Sequence, residues 1–165
     1  VKMKYSLLVA LCVFAMPSFA KDSFSIYLVR HAEKQAVKED PKLTPCGKLR
    51  ARQIASMLEH TNIKHVYSTA YQRTMATATP FSLQKNLPIK QYAPAKLEQF
   101  AQQLLQQKEN VLVVGHSNTT PQLAALLSDL KVPNITEKAY RNLYQIQVSE
   151  SGKTLTLLTQ PLTCR

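Results

Sequence analysis

Residues 111–115 read Val-Leu-Val-Val-Gly. A β-strand turns its side chains alternately to two faces, and a run without polar residues leaves neither face for water. Such a strand lies in the middle of a sheet covered on both sides. Ser25–Val29 is a second apolar run, and Lys64–Ser68 and Ile89–Tyr92 read as shorter strands. Stretches of helical character separate them. Thr44-Pro45-Cys46-Gly47 supplies an N-cap threonine and a proline at the first helical position. The helix it starts runs to about His60, with Leu49, Ile54, Ala55 and Leu58 inward. Tyr71–Gln84 is helical, with Pro80 expected to kink or split it. Lys96–Gln107 turns Leu97, Phe100, Leu104 and Leu105 inward, and Thr120–Leu130 is a further helix carrying Pro121 in its first turn. Leu143–Val148 and Thr154–Leu158 form a closing hairpin about Ser151-Gly152. Strand–helix alternation of this kind predicts an α/β fold, a three-layer sandwich with a mostly parallel central sheet. With only three glycines in 165 residues, no Gly-rich phosphate loop or dinucleotide fingerprint is available.

The first twenty residues differ from the rest. Lys2 and Lys4 precede an apolar run, Leu7–Met16, and small Ser18 and Ala20 stand before Lys21. This pattern predicts a signal peptide over 1–20, with a single domain over 21–165 that is periplasmic or secreted. No later stretch is apolar enough to serve as a transmembrane anchor. The formal net charge is +11, which favours anionic partners. The positive residues are dispersed and not interleaved with aromatics, so nucleic acid is not the expected one. Cys46 and Cys164 survive removal of the leader, and in an oxidising compartment they are most simply a disulfide. No cysteine–histidine spacing suits a structural metal. The sequence leaves the oligomeric state open.

The chemistry gathers at strand ends. In an open parallel sheet, ligands sit beyond the carboxyl ends of the strands. The first apolar run ends in Arg30-His31, and the run at 111–115 ends in His116-Ser117. Between them, Arg73 opens the helix that follows Ser68. Two arginines and two histidines converging at one edge form a cradle for a phosphoryl dianion, because a guanidinium fork matches phosphate oxygens. The helix start after His116 adds free backbone N–H groups. Neighbouring cations keep one imidazole neutral as a nucleophile, while the other can stay protonated as a ligand. The reaction this supports is in-line attack by histidine and hydrolysis of a phosphohistidine, with no metal or other cofactor.

The segments "LVRHAEK", "YSTAYQRTMATA" and "VLVVGHSNTTPQL", in that order, resemble the histidine phosphatase superfamily, the phosphoglycerate mutase-like proteins. "LTPCGKLRAR" is similar to the family's helix start after the first loop. The resemblance implies that His31 is the phosphorylated nucleophile and that Arg30, Arg73 and His116 complete the phosphate pocket. Two departures stand out. Ala32 replaces the usual glycine after the nucleophile. The usual acid between the second arginine and the second histidine has no clear counterpart; Glu98 sits nearly there and is the candidate proton donor, although its segment reads as a solvated helix face. Asn118 either supports the helix cap or contacts substrate. Glu33 and Lys34 are candidates for the pocket rim, whose shape is set by the loops Glu33–Leu43 and Tyr92–Lys96. Two classes of function follow. One is a metal-independent phosphatase acting on a phosphorylated small molecule or an envelope phosphate group. The other is a non-catalytic phosphate- or polyanion-binding protein on the same fold.

Overall fold

The computed structural model describes residues 23–164; the leader expected over 1–20 lies outside them. The elements in chain order are β1 (Phe24–Arg30), α1 (Pro45–Met57), β2 (His65–Ser68), α2 (Gln72–Lys85), β3 (Ile89–Gln91), α3 (Leu97–Gln107), β4 (Val111–Gly115), α4 (Thr119–Ser128), β5 (Asn142–Ser149) and β6 (Gly152–Thr159). A 3₁₀ turn, Pro94–Lys96, leads into α3. The six strands form one sheet in the order β3-β2-β4-β1-β5-β6. The first four in that order pair in parallel, and β5 and β6 close one edge as an antiparallel hairpin. The expected three-layer α/β sandwich with a mostly parallel sheet is the fold observed.

The apolar run at 111–115 explains the layers. Val111 and Val113 enter a core with Phe100 and Leu104 of α3 and Leu123 and Leu127 of α4. Leu112 and Val114 point the other way, into a core with Ile54 and Ala55 of α1 and Ala78 and Phe81 of α2. Every residue of β4 is buried, as a strand covered on both faces requires.

Two local expectations change. Leu49 is 49% exposed. The inner stripe of α1 is Gly47, Arg50, Ala51, Ile54 and Ala55, so helical phase turns Leu49 outward and an arginine inward. Pro80 does not split its helix, and α2 is continuous from Gln72 to Lys85. The missing amide leaves the Ala76 carbonyl without its helical donor.

The start of α1 is fixed to the loop after β1. Gly47 N donates to Thr44 Oγ1 at 3.0 Å, and Thr44 Oγ1 donates to Glu33 O at 3.3 Å. A Cβ on Gly47 would lie 2.2 Å from the Glu33 carbonyl oxygen, so only glycine permits this approach. Arg50 is 1% exposed. Its Nε and Nη2 grip the Glu33 carboxylate at 2.6–2.9 Å, while Nη2 also reaches Leu162 O at 3.1 Å and Nη1 reaches Gln160 Oε1 at 3.4 Å. Beside them, the Cα atoms of Cys46 and Cys164 stand 6.0 Å apart, the separation a disulfide needs. Among the described residues no helix is long and apolar enough to cross a membrane.

Candidate active site

Strand register brings the two histidines together. Arg30 of β1 stands opposite Gly115 of β4, so His31 and His116 leave the sheet from adjacent parallel strands at the same edge. The backbone joins them, with His31 N donating to Gly115 O at 2.9 Å. The imidazole centroids are 5.7 Å apart. β2 is the other neighbour of β4, and its exit carries Thr69 beneath His116 and then Arg73 into the first turn of α2.

Each histidine is held in a defined tautomer. Nδ1 of His31 lies 2.8 Å from Ala32 O. A carbonyl only accepts, so Nδ1 carries the proton and Nε2 keeps its lone pair. For His116, Arg73 Nη2 stands 3.3 Å from Nδ1 and can only donate, so Nε2 carries the proton and donates to Thr69 Oγ1 at 3.0 Å. Burial, with Arg30 and Arg73 adding to it, pushes His31 down to about 3 despite the Ala32 bond. Burial, then Arg73 and Arg30, push His116 down to about 4. Both rings are therefore neutral near pH 7. The expectation that the second histidine remains protonated is not met in this structure, because burial disfavours its charged form, Arg73 and Arg30 add to that, and its carboxylate neighbour, Glu137, offsets them only in part.

The surroundings fix the remaining groups. His116 N donates to Thr119 Oγ1 at 3.0 Å. Ala32 N donates to Thr77 Oγ1 at 2.9 Å, and that hydroxyl donates to Arg73 O at 2.7 Å. One threonine of α2 thus ties the His31 loop to the arginine turn. Arg30 is 1% exposed. Its guanidinium carbon lies 4.2 Å from the centre of the Tyr140 ring, and Nη1 donates to Thr136 O at 3.2 Å. Arg73 lies 4.5 Å over Tyr71, which meets His116 edge-on with 5.1 Å between centroids. Arg30 Nε and Arg73 Nε are buried donors without an acceptor among the described residues.

A cavity of about 320 Å³ opens here, lined by His31, Arg73, His116, Asn118, Lys34 and Glu137 among others. Asn118 makes no capping hydrogen bond to α4, so the support of the helix cap expected of it is absent, and it faces the cavity. Glu33 turns to Arg50 and serves the loop, whereas Lys34 reaches the rim. Glu98 is exposed and does not line this cavity; it lies on a larger groove of about 780 Å³ between α3 and α4. That groove holds neither histidine.

The carboxylate that does reach the site is Glu137, from the loop between α4 and β5. Its Oε2 accepts from Arg30 Nη2 at 2.7 Å, and its Oε1 accepts from Ser117 Oγ. Sequence reading missed it by looking for an acid only before the second histidine. The available signal was topological. β5 runs antiparallel to β1 and starts opposite Val29, so the loop entering β5 passes over the carboxyl ends of the parallel strands. Glu33, Cys46 and Cys164 are the one cluster with metal-ligand proximity among the described residues, and Arg50 already takes its carboxylate.

A buried neutral histidine, a second histidine and two guanidinium groups stand together at the carboxyl edge of the parallel sheet, an arrangement whose charge and hydrogen-bond donors suit a phosphoryl group. Residues 26–94 match the family model described as "Histidine phosphatase superfamily (branch 1)". The fold is similar to that of the protein histidine phosphatase SixA complexed with tungstate, with a TM-score of 0.67 and 19% identity over 82% of this chain and 97% of that one. It is also similar to a mycobacterial glucosyl-3-phosphoglycerate phosphatase, with a TM-score of 0.66 and 12% identity over 86% and 100%. An alpha-ribazole phosphatase from Shigella flexneri gives 0.67 and 17% over 82% and 96%. At these identities the likeness is one of fold. No curated protein matches the chain in sequence.

Proposed function

We propose that this chain is an exported, metal-independent phosphatase that hydrolyses phosphomonoesters through a phosphohistidine on His31. The observation that carries this reading is the fixed tautomer of His31. Its Nδ1–H is engaged by Ala32 O, so the lone pair of Nε2 is available for in-line attack on phosphorus.

In the first step Nε2 forms a bond to phosphorus as the ester oxygen departs with its electron pair. In the second, water attacks phosphorus and the P–N bond breaks, returning the electron pair to Nε2. Arg30 and Arg73 supply the positive charge that stabilises the equatorial oxygens. Their unpartnered Nε–H groups match the acceptors a phosphoryl group brings. His116, neutral in this structure, can donate once a dianion beside it raises its proton affinity. Asn118 and the first turn of α4 lie where further oxygens would be held. The substrate class is a phosphorylated small molecule or an envelope phosphate group. A periplasmic or secreted location and a Cys46–Cys164 disulfide belong to the same reading, supported by the leader-like start of the sequence and the approach of the two cysteines.

The test is hydrolysis of an activated aryl phosphate in the presence of chelator. Wild type is expected to turn over, and His31→Ala to lose as much as ~10⁶ in rate while retaining phosphate affinity through Arg30 and Arg73. Rapid quench should trap an acid-labile phosphoryl group on His31. Tight phosphate binding without turnover of any ester would replace this reading with that of a binding protein.

A further inference from the structure

Glu137 is an anion placed against the group that should bind an anion. Arg30 is buried, aimed by Thr136 O and stacked on Tyr140, and one of its two terminal nitrogens is given to a carboxylate. That carboxylate is not packed in place. Its side chain is 73% exposed, and its hydrogen bonds are those to Arg30 and Ser117. A carboxylate and a phosphoryl group present the same kind of acceptor to a guanidinium fork, so the two compete for Arg30. They also repel one another across a cavity that both His31 and Glu137 line.

Two responses relieve the conflict, and they act together. The carboxylate can swing from Arg30 while keeping Ser117, which sits at the cavity edge. It can also accept a proton, which removes the repulsion and converts it from acceptor to donor. The charged and titratable groups facing it are Arg30, His31, Lys34 and His116. In this structure the Ser117 hydrogen bond and Arg30 hold the Glu137 carboxyl below its ordinary range. Exchange of Arg30 for a neighbouring dianion reverses the second of these influences.

We propose that Glu137 is the proton carrier of this site, resting on Arg30 and Ser117 until an incoming phosphoryl group takes Arg30, then accepting a proton and delivering it to the leaving-group oxygen. The proposal rests on the phosphatase reading above. The steps balance. As His31 Nε2 bonds to phosphorus, the P–O bond breaks and the Glu137 proton passes to the departing oxygen, leaving an alcohol and a carboxylate. Water then attacks phosphorus, its proton passes to the Glu137 carboxylate, and the P–N bond electrons return to His31.

The experiment has two arms. Calorimetry with tungstate, a dianion at pH 7, in buffers of different ionisation enthalpy counts protons taken up on binding. Wild type should take up about one proton more than Glu137→Gln, because any proton taken up by His116 is common to both, and Glu137→Gln should bind tungstate several-fold more tightly. Turnover of an alkyl and an aryl phosphate is then compared. The alkyl-to-aryl ratio should fall by about 100-fold in Glu137→Gln, since a poor leaving group depends most on a proton donor. Unchanged proton uptake in the variant would assign the proton to His116 and overturn the proposal, as would an unchanged ratio. Wild type that binds tungstate but hydrolyses neither ester would overturn the phosphatase reading; in that protein, Glu137-dependent proton uptake would still support displacement of the carboxylate, and its absence would overturn that too.

Discussion

Acidification should destabilise this protein through its own nucleophile, and replacing His31 should remove much of that sensitivity. The imidazole is 2% exposed, and its value falls from 6.5 to about 3 on folding. Between those values the unfolded chain binds a proton that the folded chain does not. Stability is therefore intact above pH 6.5 and is lost as pH falls towards 3. Each unit of difference is worth about 1.4 kcal/mol, so the full span is about 5 kcal/mol, of which about 2 kcal/mol is already lost at pH 5. His116 adds to the effect in the same direction. Urea unfolding of wild type and His31→Asn at pH 7 and pH 5 isolates the His31 share. The asparagine variant lacks the titration, and any pH-independent loss of the Ala32 bond cancels in the comparison. The stability difference between the two proteins should move by about 2 kcal/mol in favour of the variant on going to pH 5. An unchanged difference, or an NMR titration placing His31 near 6.5, would refute the claim that burial and guanidinium neighbours hold the ring neutral.

Arg73→Ala should weaken phosphate binding by about 10- to 100-fold, the loss expected of one charge-assisted hydrogen bond, and should lower aryl phosphate turnover with it; calorimetry beside initial rates checks this. Gly47→Ala should cost about 1–3 kcal/mol in thermal or urea unfolding, because the new Cβ meets the Glu33 carbonyl, and it should lower turnover because Glu33 lies two residues from His31. Thiol titration of the unreduced, unfolded mature protein should find no reactive Cys46 or Cys164, and reduction should destabilise it by at most about 4–5 kcal/mol, the chain-entropy value for a loop spanning 118 residues.

Local patterns carried the fold and half of the site. β4 declared itself because burial on both faces admits no polar residue, and β1 did so almost as clearly. Arg30, His31 and His116 followed from those strands, since a side chain just past a parallel strand has its place fixed by the sheet. Arg73 came with the helix start after Ser68. Glu137 was hidden because its position depends on the path of a long loop between α4 and an antiparallel strand, which no periodicity encodes. The burial of Arg50 was equally hidden. Its partners, Glu33, Gln160 and Leu162, come from three distant stretches, and only their meeting makes a charged residue acceptable in the interior. The same phase of α1 put Leu49 in water. The neutral state of His116 was hidden for a related reason: it follows from the ring's burial and its distance to Arg73, and both depend on tertiary packing.

The grip of Arg50 on residues 160–162 also orders events in time. During synthesis β1 and the His31 loop emerge early, but the acceptors that complete the cage beside Glu33 are made more than a hundred residues later. Until they arrive, the Arg50–Glu33 pair is partly solvated and the loop bearing His31 is incompletely held. Completion of this cage therefore depends on residues at the far end of the chain, and trimming after Thr159 would leave the Arg50–Glu33 pair without Gln160 and Leu162.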